Sequence, residues 1–262
     1  MMRFLKFATP LVVVFLLLAF LITTRAFRSS SDDRSTRRER HSEHGLLNLE
    51  PHVKYVGDRE CAVCHPDIYD TFKQTGMGRS FYVPDKDNVI EDYVSNNHVF
   101  DPNSNFHYEM VQKNGEFFQI EYRLNEQGER IHELARKVEY VIGSGNHART
   151  YLFAKSGFLY ELPITWYSKK QSWDMSPGYR SRNLRFSRPI AERCMTCHNS
   201  YADHAEHSAN RYANVPHGIG CERCHGPGEL HIQKHYQITT QESDVEAADR
   251  TIVNPKHLSA EL

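Results

Sequence analysis

The chain has 262 residues and a formal net charge of −1, from 32 basic and 33 acidic side chains. That length allows one large domain or two small ones, and the neutral balance offers no basic surface for nucleic acid. Two counts ask for an explanation: 16 histidines, and six cysteines that all fall in C-x-x-C pairs.

Taken in order, Arg3 and Lys6 precede an apolar run from Phe7 to Ile22. This is the pattern of an export signal or an N-terminal anchor. The run falls just short of the ~20 residues that span a bilayer, and no clean small-residue cleavage site follows. The expectation is an anchor over residues 1–27 that holds a periplasmic protein to the inner membrane, with a cleaved signal as the alternative. Residues 28–54 are polar and charged and read as a tether. The spacing of Val63, Ile68 and Phe72 predicts a helix running on from Cys61 and ended by Gly76 and Gly78. Residues 99–168 alternate apolar and polar around two turn signals, Asn114-Gly115 and Lys155-Ser156-Gly157. The reading is therefore α+β: a domain over 55–258 of short helices and loops, with a small antiparallel β insert at about 99–168. Such a framework is poor in conventional core, so a group other than side chains is expected to fill it. At the end, Ser259 is placed like the N-cap of a helix that then stops, a truncated or frayed segment over 259–262.

Each cysteine pair is followed at once by histidine: "CAVCH" at 61–65, "CMTCH" at 194–198 and "CERCH" at 221–225. C-x-x-C-H is the attachment pattern of c-type haem. Cysteines at i and i+3 share one face of a helical turn, where each forms a thioether to a haem vinyl group. The next histidine then meets the iron as proximal ligand. Zinc ribbons and redox dithiols also use C-x-x-C, but neither needs histidine next. With 16 histidines in 262 residues, a given position is His about 6% of the time, so three in three by chance is about two in ten thousand. Three covalent haem c groups are expected, on Cys61 and Cys64, Cys194 and Cys197, and Cys221 and Cys224. His65, His198 and His225 are the proximal ligands.

Each iron has a second axial position. His231 is the first candidate: Gly226, Pro227 and Gly228 turn the chain sharply before it, and it lies too near His225 to reach the far face of the same haem, so it would serve a neighbour. His147, in the Gly-rich "GSGNHART", is next. His98, His107, His204, His207 and His235 remain open, with a surface role as the alternative for each. Met77, in "QTGMGRS", is either an axial ligand or a side chain packing on haem.

The stretches "GIGCERCHGPGELH", "ECAVCHPDIYDTFKQTGMGRSF", "IGSGNHARTYL", "LPITWY" and "MSPGY" resemble the multihaem c-type cytochromes. The resemblance covers about residues 55–258. It is to the tetrahaem electron carriers of hydroxylamine-oxidising bacteria, and closer still to exported cytochromes often fused to tetratricopeptide repeats. It implies that His231 is a distal ligand to another haem. It departs at Met77, where the tetrahaem carriers place a histidine. It departs also in number, since a fourth motif is common there, expected here beyond the chain's end or lost.

The function expected is electron transfer through three haems between redox partner proteins, other cytochromes among them. The alternative is a multihaem oxidoreductase in which one open-coordinate haem acts on a small nitrogen or sulfur species, with Arg79, Arg149 or Tyr151 stabilising an anion. A third possibility is a docking module scaffolded by haem.

Overall fold

The computed structural model describes residues 45–238 and 249–258. The chain divides into two compact units, Val56–His225 and a smaller one of Met1–Tyr55 with Gly226–Leu262.

The larger unit opens with α1 (Asp58–Cys64) and α2 (Pro66–Lys73). One continuous helix was expected here, and Pro66 explains the break. Proline lacks an N–H and pushes the residue before it out of the helical region, and His65 accordingly has φ −124° and ψ 51°. Strands follow: β1 (Phe81–Tyr82), β2 (His98–Asp101), β3 (Phe106–Lys113), β4 (Glu116–Leu124), β5 (Arg130–Lys137), β6 (Tyr140–Ile142), β7 (Ala148–Lys155), β8 (Phe158–Glu161), β9 (Ile164–Tyr167), β10 (Ser172–Met175) and β11 (Arg188–Pro189). Then come α3 (Glu192–His198), β12 (Asp203–His204), β13 (Tyr212–Asn214) and α4 (Glu222–His225).

β2 to β5 form a four-stranded antiparallel meander, and β1-β6-β7-β8-β11 run across a larger sheet in which β9 pairs with both β7 and β10. Both sequence-predicted hairpins form, each with a two-residue turn, since Lys155 belongs to β7 and pairs with Phe158. Asn114 and Gly115 have φ 54° and 79°, and Ser156 and Gly157 have φ 53° and 80°. Two left-handed residues in a row match the twist of the flanking strands.

The core differs from expectation. It is a conventional side-chain core. Tyr108, Met110 and Phe117 of the meander pack with Tyr151, Leu162, Ile164, Trp166 and Trp173 of the larger sheet. β structure runs from Phe81 to Pro189, on both sides of the expected insert, because the alternation in these strands buries one face of each sheet against the other. Gln119 joins the two sheets. Its Nε2 donates to Ile164 O at 2.7 Å and its Oε1 accepts from Ile164 N at 3.1 Å, so the amide stands in for a strand partner. A second cluster, Phe81, Ile142, Leu152, Leu159 and Ile190, holds Met195 of α3.

In the smaller unit, α5 (Glu229–Ile238) is tied to the segment around Leu47–Leu49. Asn48 Nδ2 donates to Pro227 O at 3.2 Å, Lys54 N to Glu229 Oε2 at 2.9 Å, and Leu47 N to Arg250 O at 2.8 Å.

The inner-membrane anchor expected at the N-terminus is corrected. Crossing a bilayer takes ~20 apolar residues in one helix, and among the described residues no helix is long and apolar enough to do so. The Phe7–Ile22 run lies outside the described residues, as do most of the expected tether and the segment 259–262.

Replacing Gln119 by Leu keeps the volume but leaves the buried N–H and C=O of Ile164 unpaired. The expected cost is roughly 2–4 kcal/mol, read as a lower guanidinium midpoint at unchanged slope; an unchanged midpoint would show that the two sheets do not depend on this link.

Candidate haem-binding site

Each cysteine motif closes as one helical turn. His65 N donates to Cys61 O at 3.0 Å and His225 N to Cys221 O at 3.1 Å, while Cys194, Cys197 and His198 lie together in α3. All six cysteines are free thiols. In every motif the first cysteine is half-buried and the second is exposed. His65 and His225 are exposed and His198 is half-buried. Burial pushes the His198 imidazole below its ordinary pKa, against a hydrogen bond with Ser80 that raises it.

Reciprocal carboxylates join the first and third motifs. Asp58, the first residue of α1, accepts from Cys221 N at 2.9 Å, at the entry to α4. Glu222, the first residue of α4, accepts from Val56 N at 2.9 Å and Gly57 N at 2.8 Å, at the entry to α1. Helix starts carry unpaired N–H groups and partial positive charge, so each carboxylate is placed where its charge is favoured. Lys73 of α2 adds an ion pair to Asp58 at 2.9 Å and a hydrogen bond to His217 O at 3.3 Å. The Cys61 thiol donates to Gly57 O at 3.8 Å, and the junction makes Cys61 and Cys221 neighbours. That contact raises the Cys61 thiol pKa well above its ordinary value and lowers that of Cys221.

The second motif is tied to the third and to the segment after α2. Arg223 of α4 donates to Thr196 O in α3 at 2.7 Å. Ser80 Oγ donates to His198 O at 2.7 Å, and Ile219 N to Met77 O at 3.2 Å. The last contact needs two glycines. Gly218 has φ +73°, and a Cβ there would sit 2.1 Å from Gly78 O, so the residues before the third motif pass backbone to backbone over those after α2.

The residues fit covalent haem. α1 and α2 fully bury no side chain: Val63 and Ile68, on either side of Cys64 and His65 in sequence, are 63% and 67% exposed, and Met77, beyond α2, is 51% exposed. Helices this short do not stand without a packed apolar face, and an exposed apolar patch marks a binding surface. A large apolar disc joined to Cys61 and Cys64 suits that face. Zinc suits it less: among the described residues, no three ligand atoms from the cysteine motifs converge closely enough to hold a metal ion.

The distal candidates are spread out. His147 is exposed and follows Gly143 and Gly145, whose φ values of 102° and 90° confirm the tight turn. His231 lies on α5 after Gly226 at φ +70°. Its Nδ1 is 2.9 Å from Asp249 Oδ2, to which His235 Nε2 also lies 3.0 Å. Burial opposes charge on Asp249, but hydrogen bonds from Thr251, His235 and His231 outweigh it and hold the carboxyl well below its usual range. His98 and His107 pair with each other at 3.0 Å on the meander, and His204 packs on Tyr212.

Of the anion-binding candidates, Arg149 is buried and ion-paired with Glu91 at 3.1 Å, and Tyr151 donates to the same carboxylate at 2.6 Å. Arg79 is exposed. It lines a cavity of about 400 Å³ with Tyr69, Lys73, Tyr82 and His217. Asp58, Glu222, Gly218 and His217 were not singled out in the sequence. The acidic residues at two helix starts were a visible signal, but not that each serves the other helix.

Residues 165–226 match the family described as cytochrome c554 and c-prime. That stretch holds the second and third motifs. The match supports a c-type cytochrome, a protein that carries covalent haem and transfers electrons. No curated protein matches the chain. Among solved structures, the outer cell wall cytochrome OcwA is similar at 18% identity with a TM-score of 0.42. The likeness covers 74% of this chain and 35% of that one, so the chain spans about a third of OcwA.

Glu222→Ala removes the charged acceptor of two N–H groups, at an expected cost of roughly 3 kcal/mol. Glu222→Gln should cost less. Thermal unfolding of both variants tests this, and equal stability of Glu222→Ala and wild type would dismiss the cross-cap.

Proposed function

We propose that the chain is a multihaem c-type cytochrome that transfers electrons through three covalent haems. Cys61 and Cys64, Cys194 and Cys197, and Cys221 and Cys224 form the thioethers; His65, His198 and His225 are proximal ligands. The observation that carries this reading is the run of hydrogen bonds that links the first motif to the third and the third to the second within Val56–His225. Haem, when bound, supplies an iron that takes up and gives back one electron. The protein's part is to hold such groups close and in fixed order. The adjacency of Cys61 and Cys221 supports direct neighbourhood of the first and third haems. Redox partner proteins would exchange electrons with the chain. His231, His147 and Met77 are the distal ligands we assign, and the relation to tetrahaem carriers belongs to the same proposal. No substrate pocket is required.

One observation favours the second reading, an oxidoreductase with an open-coordinate haem acting on a small nitrogen or sulfur species. The cavity beside α2 is lined by the cations Lys73 and Arg79, with the His217 imidazole beside them, a lining that suits a small anion.

Protein matured with c-type haem assembly should carry three haems by intact mass and by pyridine haemochrome. The Cys61→Ala/Cys64→Ala pair should carry two. A wild-type count of zero sinks the proposal, and an unchanged count in the double variant removes the first site. Low-spin electron-paramagnetic-resonance signals for all three haems favour electron transfer, whereas one high-spin haem favours the second reading.

A further inference from the structure

Tyr69 and Lys73 stand one and two turns beyond His65 on α2, and Tyr69 N donates to His65 O at 2.9 Å. Residues four apart share a helix face. The cavity of about 400 Å³ that both side chains line therefore opens on the face that continues from the first attachment motif. Arg79 reaches it from the turn after α2, Tyr82 from β1, and Ser144 and Arg149 from the turn before β7 and from β7 itself. All of these residues belong to Val56–His225.

The lining holds cations and no carboxylate. Two of the cations are neutralised by residues outside it: Lys73 pairs with Asp58 at 2.9 Å and Arg149 with Glu91 at 3.1 Å. Burial and the neighbouring Lys73 ammonium keep the His217 imidazole below its ordinary pKa, so it adds no charge at neutral pH. Arg79 differs. It is exposed, and among the described residues its guanidinium has no ion pair or hydrogen bond. The cavity thus carries one uncompensated positive charge, the complement of a monoanion.

Other donors in the lining are incomplete. Tyr82 Oη and Arg149 Nε are buried without a hydrogen-bond partner among the described residues, a costly state for a polar group. Lys73 uses two of its three N–H groups, on Asp58 and on His217 O. The volume exceeds that of a bare inorganic anion, and the rings of Tyr69 and Tyr82 form part of the wall, which suits an anion joined to an apolar body.

We infer that this cavity is a carboxylate site in which Arg79 holds the anionic end of a larger, partly apolar molecule. A guanidinium offers paired N–H groups that match the two oxygens of a carboxylate. Two sources carry that chemistry: a propionate side chain of the haem on Cys61 and Cys64, or a free organic monocarboxylate. The first rests on the reading of covalent haem at that motif, and the second does not.

The full chain with its haems is compared with Arg79→Gln and Arg79→Lys. With a haem propionate in the site, added benzoate gives no binding heat in calorimetry. Arg79→Gln then lowers the potential of one haem in an optical titration, because a cation beside it is lost. Arg79→Lys, which keeps the charge without the fork and guards against a folding failure, lowers it less. With a free carboxylate as occupant, one equivalent of benzoate binds, sulfate does not displace it, and Arg79→Gln weakens it roughly tenfold with the haem potentials unmoved. Absence of both benzoate binding and a potential shift overturns the inference. So does benzoate binding that Arg79→Gln leaves intact, a potential shift shared equally by all haems, or sulfate binding there more tightly than benzoate. A chain that carries no haem yet binds benzoate through Arg79 would sink the haem proposal and leave this inference standing.

Discussion

Two carboxylates exchanged between two helix starts govern this molecule's functional region. Asp58 begins α1 and caps the entry to α4; Glu222 begins α4 and caps the entry to α1. Neither helix is long enough to be stable alone: α1 has seven residues and α4 four, well below the ~12 at which isolated helices become even marginal. Each depends on the other for its N-terminal hydrogen bonds. Because Cys61 and Cys221 ride on these two turns, the contact that stabilises the helices also sets the spacing of the sulfurs. Everything else around the motifs, from Lys73 to the Gly218 crossing, holds that junction in place.

The β part does a different job. Its aromatic core is complete in itself, and three of its buried side chains anchor the polar interior: Gln119 completes a strand edge, Glu121 accepts from Tyr108 and Arg185, and Glu91 engages Arg149 and Tyr151. Such satisfaction is what a rigid interior requires. Met195 inserts α3 into the second core cluster, so the second motif stands on the sheet. The first motif has no such footing, since α1 and α2 bury none of their side chains. The molecule thus combines a self-sufficient sheet, which holds the second motif through Met195, with first-motif helices that keep Val63 and Ile68 at the surface.

Local chemistry was legible residue by residue. The two hairpin turns could be read because Asn-Gly and Ser-Gly tolerate the left-handed backbone that two-residue turns demand. The haem pattern could be read because three successive C-x-x-C-H runs have little other use. The break at His65 was equally available, since Pro66 states it, though the apolar spacing on either side masked it. The core was misjudged for a physical reason. A modest apolar fraction still builds a full interior when large aromatic residues on two sheets interlock, and aromatic residues bury more area per side chain than their number suggests.

The sequence by itself determined the three C-x-x-C-H motifs: which cysteines stand three apart, which histidine follows each pair, and where the chain must turn. These follow from covalent spacing within five residues. Only the tertiary structure decided which motif lies beside which. Asp58 and Cys221 are 163 positions apart, and no local pattern announces that the carboxylate of one helix serves the N–H groups of another. The same holds for Asp249, which meets His231 and His235 from 18 and 14 positions away. Such facts belong to long-range contacts, and the energy that selects them resides in the fold as a whole.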